Sequence, residues 1–317
     1  MIHLALSIPI GSANLDIDGE RLKQLQKRLN GVNYFVIDEK SMVGHRMLAL
    51  VDMRLCQAFP EHKNQPFGNR SVILVGDFGQ LPPVLDEPMY SQTFRHDLLS
   101  NDGITTYKQF QEAYKLDIVQ CQSGDSEEQR NFRDILLQLR DGESTVADWK
   151  VLAARFIDSP TILSPEQDHF SDAICIFPWK IDVNEFNVNK LKTLNCPIAR
   201  INAIHTGGNE ARKADYDTAK GLEAQLFLAR GARVMLRANL WTEFDNYAGP
   251  AITTIEGLTL QKAVIDLGKK EYAAGISFVA ISQACALRNI LFRPFSLDRL
   301  QRIKTCKRLQ ERMAEEG

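Results

Sequence analysis

The chain has 317 residues, 44% hydrophobic and 25% charged, with a formal net charge of -2. This is the composition of an ordinary soluble chain with room for about two domains, and with no global basic field any contact with nucleic acid rests on local patches. Six cysteines and six histidines are scattered without zinc or redox spacing, no segment is long enough to cross a membrane, and the apolar start lacks the basic leader of a signal peptide, so reduced thiols in an intracellular protein are expected.

In chain order, residues 3–8 read as a strand, and residues 16–30 as a helix with Leu22, Leu25 and Leu29 on one face and a stop at Gly31. A strand opens at Tyr34. Residues 44–59 predict a helix with the apolar stripe Met47, Leu48, Val51 and Leu55. Arg46, Asp52 and Arg54 fall on its other faces, where Arg54 either reaches a phosphate or pairs with Asp52 at the surface. Pro60 and Pro66 break the chain before a second strand from Ser71. Residues 85–106 carry little pattern, and residues 115–119 read as another strand. Ser126 to Gln129 form a capping box that starts a helix with Phe132, Ile135, Leu136 and Leu139 at core spacing, a solvated polar face and a stop at Gly142.

Pro160 and Pro165 among polar residues mark a boundary, giving domains over residues 1–160 and 161–317. In the second domain, residues 173–177 read as a strand and 180–191 as a helix. Residues 225–228 and 233–236 suggest a hairpin, and 263–266 and 278–281 two further strands. Residues 297–315 read as one closing helix rich in Arg and Lys, its basic face either solvated or turned to DNA. Strands alternating with helices in both halves predict an α/β fold with parallel sheets.

Two stretches carry the chemistry, YFVIDEKSM from Tyr34 and SVILVGDFGQLPPV from Ser71. Each is an apolar run ending in acidic residues, the pattern of a strand buried on both faces that delivers charge to the carboxyl edge of a parallel sheet, where ligands collect. Asp38 and Glu39 leave the first strand together. Asp77 leaves the second just after Gly76. Three carboxylates at one crevice repel, and a hard cation such as Mg²⁺, held by one or two of them plus a substrate phosphate, offsets that repulsion. Glu39 is then placed to orient or deprotonate a water. The plainer alternative is a strand ending in two solvated acids, and a further one is a metal site for nucleic-acid cleavage.

The first stretch resembles a Walker B element, and GDFGQLPPV resembles the motif that follows it in superfamily-one helicases. Asp52, Arg54, Phe67 and Gly68 lie between them. With QSGDSEEQRNFRDILLQLRDGEST from Gln122, GARVMLRANLWTE from Gly231 and GLTLQKAVIDLGKKEYAAG from Gly257, the set resembles the PIF (petite integration frequency) family of DNA helicases. The resemblance implies two RecD-like P-loop NTPase-type domains with ATP as substrate between them. It makes Asp38 the Mg²⁺ ligand, Glu39 the group that activates water, and Gln80 the γ-phosphate sensor, with Asp77 beside the nucleotide. His3 stands in a segment that matches TIHSALSIPI and touches the DNA backbone in the family. The implied partners are single-stranded DNA or DNA junctions, with no membrane and no stable protein partner. The family works in nucleus or mitochondrion, moves 5′ to 3′, and serves telomere maintenance, repair and recombination.

The departures from the family are equally specific. A loop of the form G-x-x-x-x-G-K-[ST] occurs nowhere in the chain. In the family it lies upstream of the segment represented by His3, so the first domain is expected to lack its phosphate-loop unit. The family pattern RQSG reads Cys121, Gln122, Ser123, Gly124, and ALSR reads Ala280, Ile281, Ser282, Gln283. An arginine at the γ-phosphate is worth about 10³ to 10⁵ in rate. Only the ten residues 244–253 separate Trp241, Thr242 and Glu243 from Thr254, Ile255, Glu256 and Gly257, where the family carries a β-barrel insertion and a TIHKSQG motif, so both are expected to be absent. The sum is a truncated, degenerate helicase that hydrolyses ATP poorly or not at all; the alternative is an inactive remnant that at most binds single-stranded DNA.

Overall fold

A computed structural model describes residues 2–9, 17–206, 208–213, 223–234 and 259–316. In chain order its elements are α1 (Ile2–Ala5), α2 (Gly19–Leu29), β1 (Tyr34–Ile37), α3 (His45–Ala58), β2 (Ser71–Leu74), α4 (Leu98–Tyr107), α5 (Glu127–Asp141), α6 (Val146–Ala153), α7 (Ser164–His169) and β3 (Ile174–Ile176). There follow α8 (Lys180–Thr193), β4 (Ile198–Asn202), α9 (Gly208–Lys213), β5 (Gln225–Ala229), β6 (Ala263–Ile265), α10 (Ile276–Ser282), β7 (Ile290–Phe292), α11 (Leu297–Gln301) and α12 (Lys307–Glu316).

The chain divides into two units. The first joins Met1–Ala154 with Lys269–Ser282 and Phe295–Gly317, and the second joins Arg155–Gly268 with Gln283–Pro294. The boundary expected at 160 lies at Ala154, and the closing stretch expected in the second domain belongs largely to the first. Its anchors explain this. The Trp149 indole N–H donates to the Phe295 carbonyl at 3.1 Å, and Arg312 of α12 is buried where it donates to the Arg140 carbonyl at 2.9 Å.

In the first unit β1 and β2 pair in parallel, from Tyr34 opposite Ser71 to Ile37 opposite Leu74. Phe35, Ile37, Val72 and Leu74 face a core that includes Leu25 and Leu29 of α2 and Leu48, Val51 and Leu55 of α3. The opposite face is open: Tyr34 is 71% exposed, Val36 65% and Ile73 50%. Burial on both faces, expected from the apolar runs, is therefore not met, because the helices of this cluster lie on one side of a two-stranded sheet.

Local chemistry sets the helix ends. The Asp18 carboxylate accepts from the Arg21 N–H at 2.8 Å to start α2, and the Ser126 hydroxyl accepts from the Gln129 N–H at 3.1 Å to start α5. Gly142, at φ 71°, ends α5 in the left-handed conformation. The N-terminus of α3 is capped from a distance, Asp86 accepting from the N–H groups of Arg46 at 3.3 Å and Met47 at 3.2 Å. That bond ties the loop after β2 to α3.

Several expected elements differ. Residues 3–8 begin as α1, because burying both Leu6 and Ile8 requires a turn at Ser7, which sits at φ 53°. Residues 115–119 form no strand and leave Leu116 91% and Ile118 78% exposed, so an alternating pattern without a pairing edge stays irregular. Residues 278–281 lie in helix α10, where burial of Ser277, Val279, Ala280 and Ile281 overrides their β-branched character. The closing helix is broken by a 3₁₀ turn, Arg302–Thr305, into α11 and α12. Arg54 is buried rather than at the surface and donates to the Gln57 side chain at 2.7 Å, while Asp52 accepts from the Phe67 N–H at 2.5 Å.

The second unit holds a parallel sheet in the order β3-β6-β7 and an antiparallel pair, β4 with β5. β5 covers the expected strand 225–228 and pairs with β4, Ile198 opposite Ala229, while the second strand expected at 233–236 lies partly outside the described residues. Arg155 stitches the sheet edge through the carbonyls of Ile290 at 2.9 Å and Arg288 at 3.0 Å. The expectations for residues 235–236, the match from 235 to 243 and the shortened stretch 244–257 lie outside the described residues.

Candidate active site

The carboxyl ends of β1 and β2 are held together beyond the strands. The Val75 N–H donates to the Ile37 carbonyl at 2.8 Å, and the Lys40 N–H to the Val75 carbonyl at 2.9 Å. Gly76 makes this possible. It sits at φ 132°, and a Cβ there would stand 2.8 Å from the Lys40 nitrogen and 3.3 Å from the Glu39 Cα. Glu39 itself is left-handed, at φ 55° and ψ 50°, and its N–H donates to the Asp38 carboxylate at 2.9 Å. A non-glycine residue in that region costs about 1–2 kcal/mol, a strain that clusters at functional positions. Burial, then the Asp38 and Asp77 carboxylates, push the Glu39 carboxyl up from its ordinary range. Asp38 and Asp77 are thus each within electrostatic reach of Glu39.

Asp77 is engaged within the protein. Arg140 Nε lies 3.1 Å from each of its oxygens and Nη2 2.6 Å from Oδ1, while the Gly79 N–H donates to Oδ1 at 2.8 Å. Burial alone pushes Asp77 up, but Arg140, the Gly79 N–H and Arg312 outweigh it and hold the carboxyl below its usual range. The Gln80 N–H donates to the Asp77 carbonyl at 3.0 Å. Its side-chain Oε1 is buried and accepts no hydrogen bond, which marks a place for a donor such as a positioned water. Lys40 lays its ammonium over the Phe78 ring, 4.3 Å from the centroid.

Among the described residues no three His, Cys, Asp or Glu side chains converge as a metal cage. Asp38 is exposed, and Asp77 is taken by Arg140. This donor set fits a hard cation held by Asp38 together with substrate phosphate oxygens. It does not fit one held by protein alone.

Arg140 and Lys40 were not singled out by the sequence. The signal for Arg140 was Arg133 and Arg140 seven residues apart, one stripe of the face of α5 expected to be solvated. Arg133 donates to the carbonyls of Gln122 at 2.8 Å and Gly124 at 2.7 Å. The Gln122 side chain in turn donates to the Ser282 carbonyl at 2.8 Å, joining the Cys121–Gly124 segment to the end of α10. Of the two positions where the family has arginine, Cys121 is exposed. His3 lies in α1, its Nδ1 3.2 Å from the Ile8 carbonyl.

The sequence profile of the PIF1-like helicase family matches residues 1–150. The ATP-dependent DNA helicase Pif1 of Bdellovibrio bacteriovorus is 29% identical over 242 residues, covering 75% of this chain and 49% of the relative. The ATP-dependent DNA helicase PIF1 of Saccharomyces cerevisiae is 26% identical over 248 residues, covering 75% and 26%. Over these stretches the chain is similar to the PIF1-like helicases. It spans about half or less of the length of these relatives. The crystal structure of Pif1 helicase from Candida albicans superposes with a TM-score of 0.73 at 20% identity, over 99% of this chain and 84% of that one. Bacteroides Pif1 in complex with ADP-AlF3 and single-stranded DNA gives 0.65 at 19% identity, over 94% and 80%. The α/β fold with parallel sheets is therefore the PIF1-like helicase fold, and the segment matched by the family takes in both acidic stretches and Arg140.

Proposed function

We propose that the chain is the nucleotide-responsive part of an ATP-dependent DNA helicase of the PIF1-like kind, and that these 317 residues alone hydrolyse ATP slowly or not at all. The observation that carries the reading is the contact at Gly76, which leaves no room for a side chain between the Asp38–Glu39 and Asp77–Gln80 loops. In this reading Asp38 would hold Mg²⁺. The cation supplies neutralisation of the charge on the transferred phosphoryl group. Glu39, its carboxyl pushed up from the ordinary range by burial and by its acidic neighbours, accepts a proton from the attacking water, and Gln80 Oε1 fixes that water by accepting its second hydrogen. Asp77, locked to Arg140, keeps Gln80 in place.

Slow hydrolysis follows from what the sequence lacks. Cys121 and Gln283 stand where the family has arginine, and neither replaces a fixed bidentate cation at the phosphates. Those same substitutions favour a second reading, a non-catalytic protein that binds single-stranded DNA through phosphate contacts and His3. The Bacteroides relative binds single-stranded DNA; binding here would be modest and salt-dependent. Telomere maintenance, repair and recombination, in nucleus or mitochondrion, are the corresponding physiological proposals. The test is ATP turnover with and without Mg²⁺ and single-stranded DNA, with Glu39→Gln as control. DNA-stimulated turnover lost in the control supports the motor; a folded protein with no turnover above the control supports the binding remnant.

A further inference from the structure

The loop that carries Gln80 is gripped by the last helix of the chain. Arg140 donates through Nη2 to Asp77 at 2.6 Å and to Glu316 of α12 at 2.7 Å, and through Nη1 to Asp141 at 2.8 Å. Arg312 of α12 donates to the same Asp141 oxygen at 2.8 Å and is almost wholly buried. Two arginines and three carboxylates thus form one network between α5, α12 and the loop. The loop backbone lies directly against it: a Cβ on Gly79 would stand 2.4 Å from Arg312 Nη1 and 2.5 Å from Arg140 Nε. The Tyr107 hydroxyl, donating to Glu315 at 2.8 Å, docks the same helix onto α4.

We propose that α12 is a latch that positions the Asp77–Gln80 loop, with Glu316 and Arg312 acting as positioning residues through Arg140. Asp77 and Glu316 share one guanidinium nitrogen, so the hold on one carboxylate depends on the other. Displacement of the loop by a ligand at Gln80 loosens α12, and release of α12 frees the loop. This deepens the helicase reading, on which the nucleotide arm of the test rests.

Amide hydrogen exchange on the full chain tests the latch without requiring activity. The reporters are the N–H groups of Gly79 and Gln80, both bonded to Asp77. Glu316→Gln is expected to speed their exchange by about tenfold, the scale of losing one charge-assisted hydrogen bond. Glu311→Gln, which removes the pairing of Glu311 with Lys307 on the same helix, is the control and should leave them unchanged. Unchanged loop exchange in Glu316→Gln, or an equal rise in both variants, overturns the latch. In a second arm ATP with Mg²⁺ is added: altered exchange over Arg312–Glu315 in the parent, lost in Glu316→Gln, supports the latch, and protection of the loop without any response in α12 overturns it. No response anywhere counts against nucleotide binding itself, and the first arm then decides the latch alone.

Discussion

Gly275 stands with its Cα against the Gly79 carbonyl: a Cβ at Gly275 would lie 2.4 Å from the Gly79 oxygen and 2.8 Å from the Gln80 oxygen. Two segments almost two hundred residues apart therefore meet backbone to backbone at the loop that positions Gln80, and Gly275 also sits at φ 84°, where a side chain is strained.

Gly275→Ala combines that strain with a backbone clash and should cost about 2–4 kcal/mol. Gly31→Ala provides the comparison, since Gly31 has a similar φ of 78° with nothing within 4 Å, and should cost only about 1 kcal/mol. Urea denaturation of the two variants separates contact from strain. Equal losses would mean that the Gly275 contact yields without cost.

Glu39→Gln should make the protein more stable at neutral pH while removing any hydrolysis. The folded-state pKa of Glu39 is raised by burial and by Asp38 and Asp77. Between the ordinary carboxylate value and that raised value the folded state holds more protons than the unfolded one, so stability falls as pH rises through this window and the penalty persists above it. The variant lacks the penalty. Its urea midpoint should exceed the parent's at pH 7 and converge with it below about pH 4; a lower midpoint at pH 7 would show that the acids do not repel.

Asp77→Asn should behave in the opposite sense. The folded-state pKa of Asp77 lies below its ordinary value, so its contribution is fully present above about pH 4 and is lost as pH falls through the folded value. Replacing one charge-assisted partner of Arg140 should lower stability by about 1–3 kcal/mol at pH 7. The difference from the parent should shrink in acid. A difference that is constant with pH would point to altered shape rather than lost charge.

What was legible in the sequence was what local pattern encodes. The strand that runs to Asp38, the capping Ser126 and the stop at Gly142 each declare themselves within a few residues, and the structure forms all three, with the strand buried on one face rather than two. Residues 278–281 and 115–119 carry the same kind of pattern, yet their fates depend on distant partners. The first is largely buried beside α5 and coils, and the second finds no edge and stays irregular. Asp38, Glu39 and Asp77 were singled out because two apolar runs each end in acidic residues. Arg140 was not, because a polar side chain on a helix looks solvated until its partner, 63 residues earlier in the chain, is known.

Arg299 and Glu271 form an ion pair at 2.9 Å with side chains only 2% and 7% exposed. The Ser277 hydroxyl bridges them, donating to Glu271 at 2.6 Å and accepting from Arg299 at 2.8 Å. Arg299→Ala leaves Glu271 charged and buried, and should cost about 3–5 kcal/mol. The double variant Arg299→Met, Glu271→Gln removes both charges and should recover part of that loss. A double variant as unstable as the single one would mean that shape, not charge, dominates this site.

The open face of the β1–β2 sheet calls for the reverse expectation. Tyr34 and Val36 project from strands whose other face forms the core, and both are well over half exposed. Tyr34→Thr and Val36→Thr place a β-branched residue that suits a strand at each position while removing apolar surface. Each should change stability by no more than about 0.5 kcal/mol, because neither side chain is buried. Binding of a hydrophobic dye and self-association at high concentration should both fall, since an exposed apolar face beside unpaired strand edges is what such probes and copies adhere to. A loss above about 2 kcal/mol would instead mean that this face is covered in solution, the cost being that of emptying a packed site.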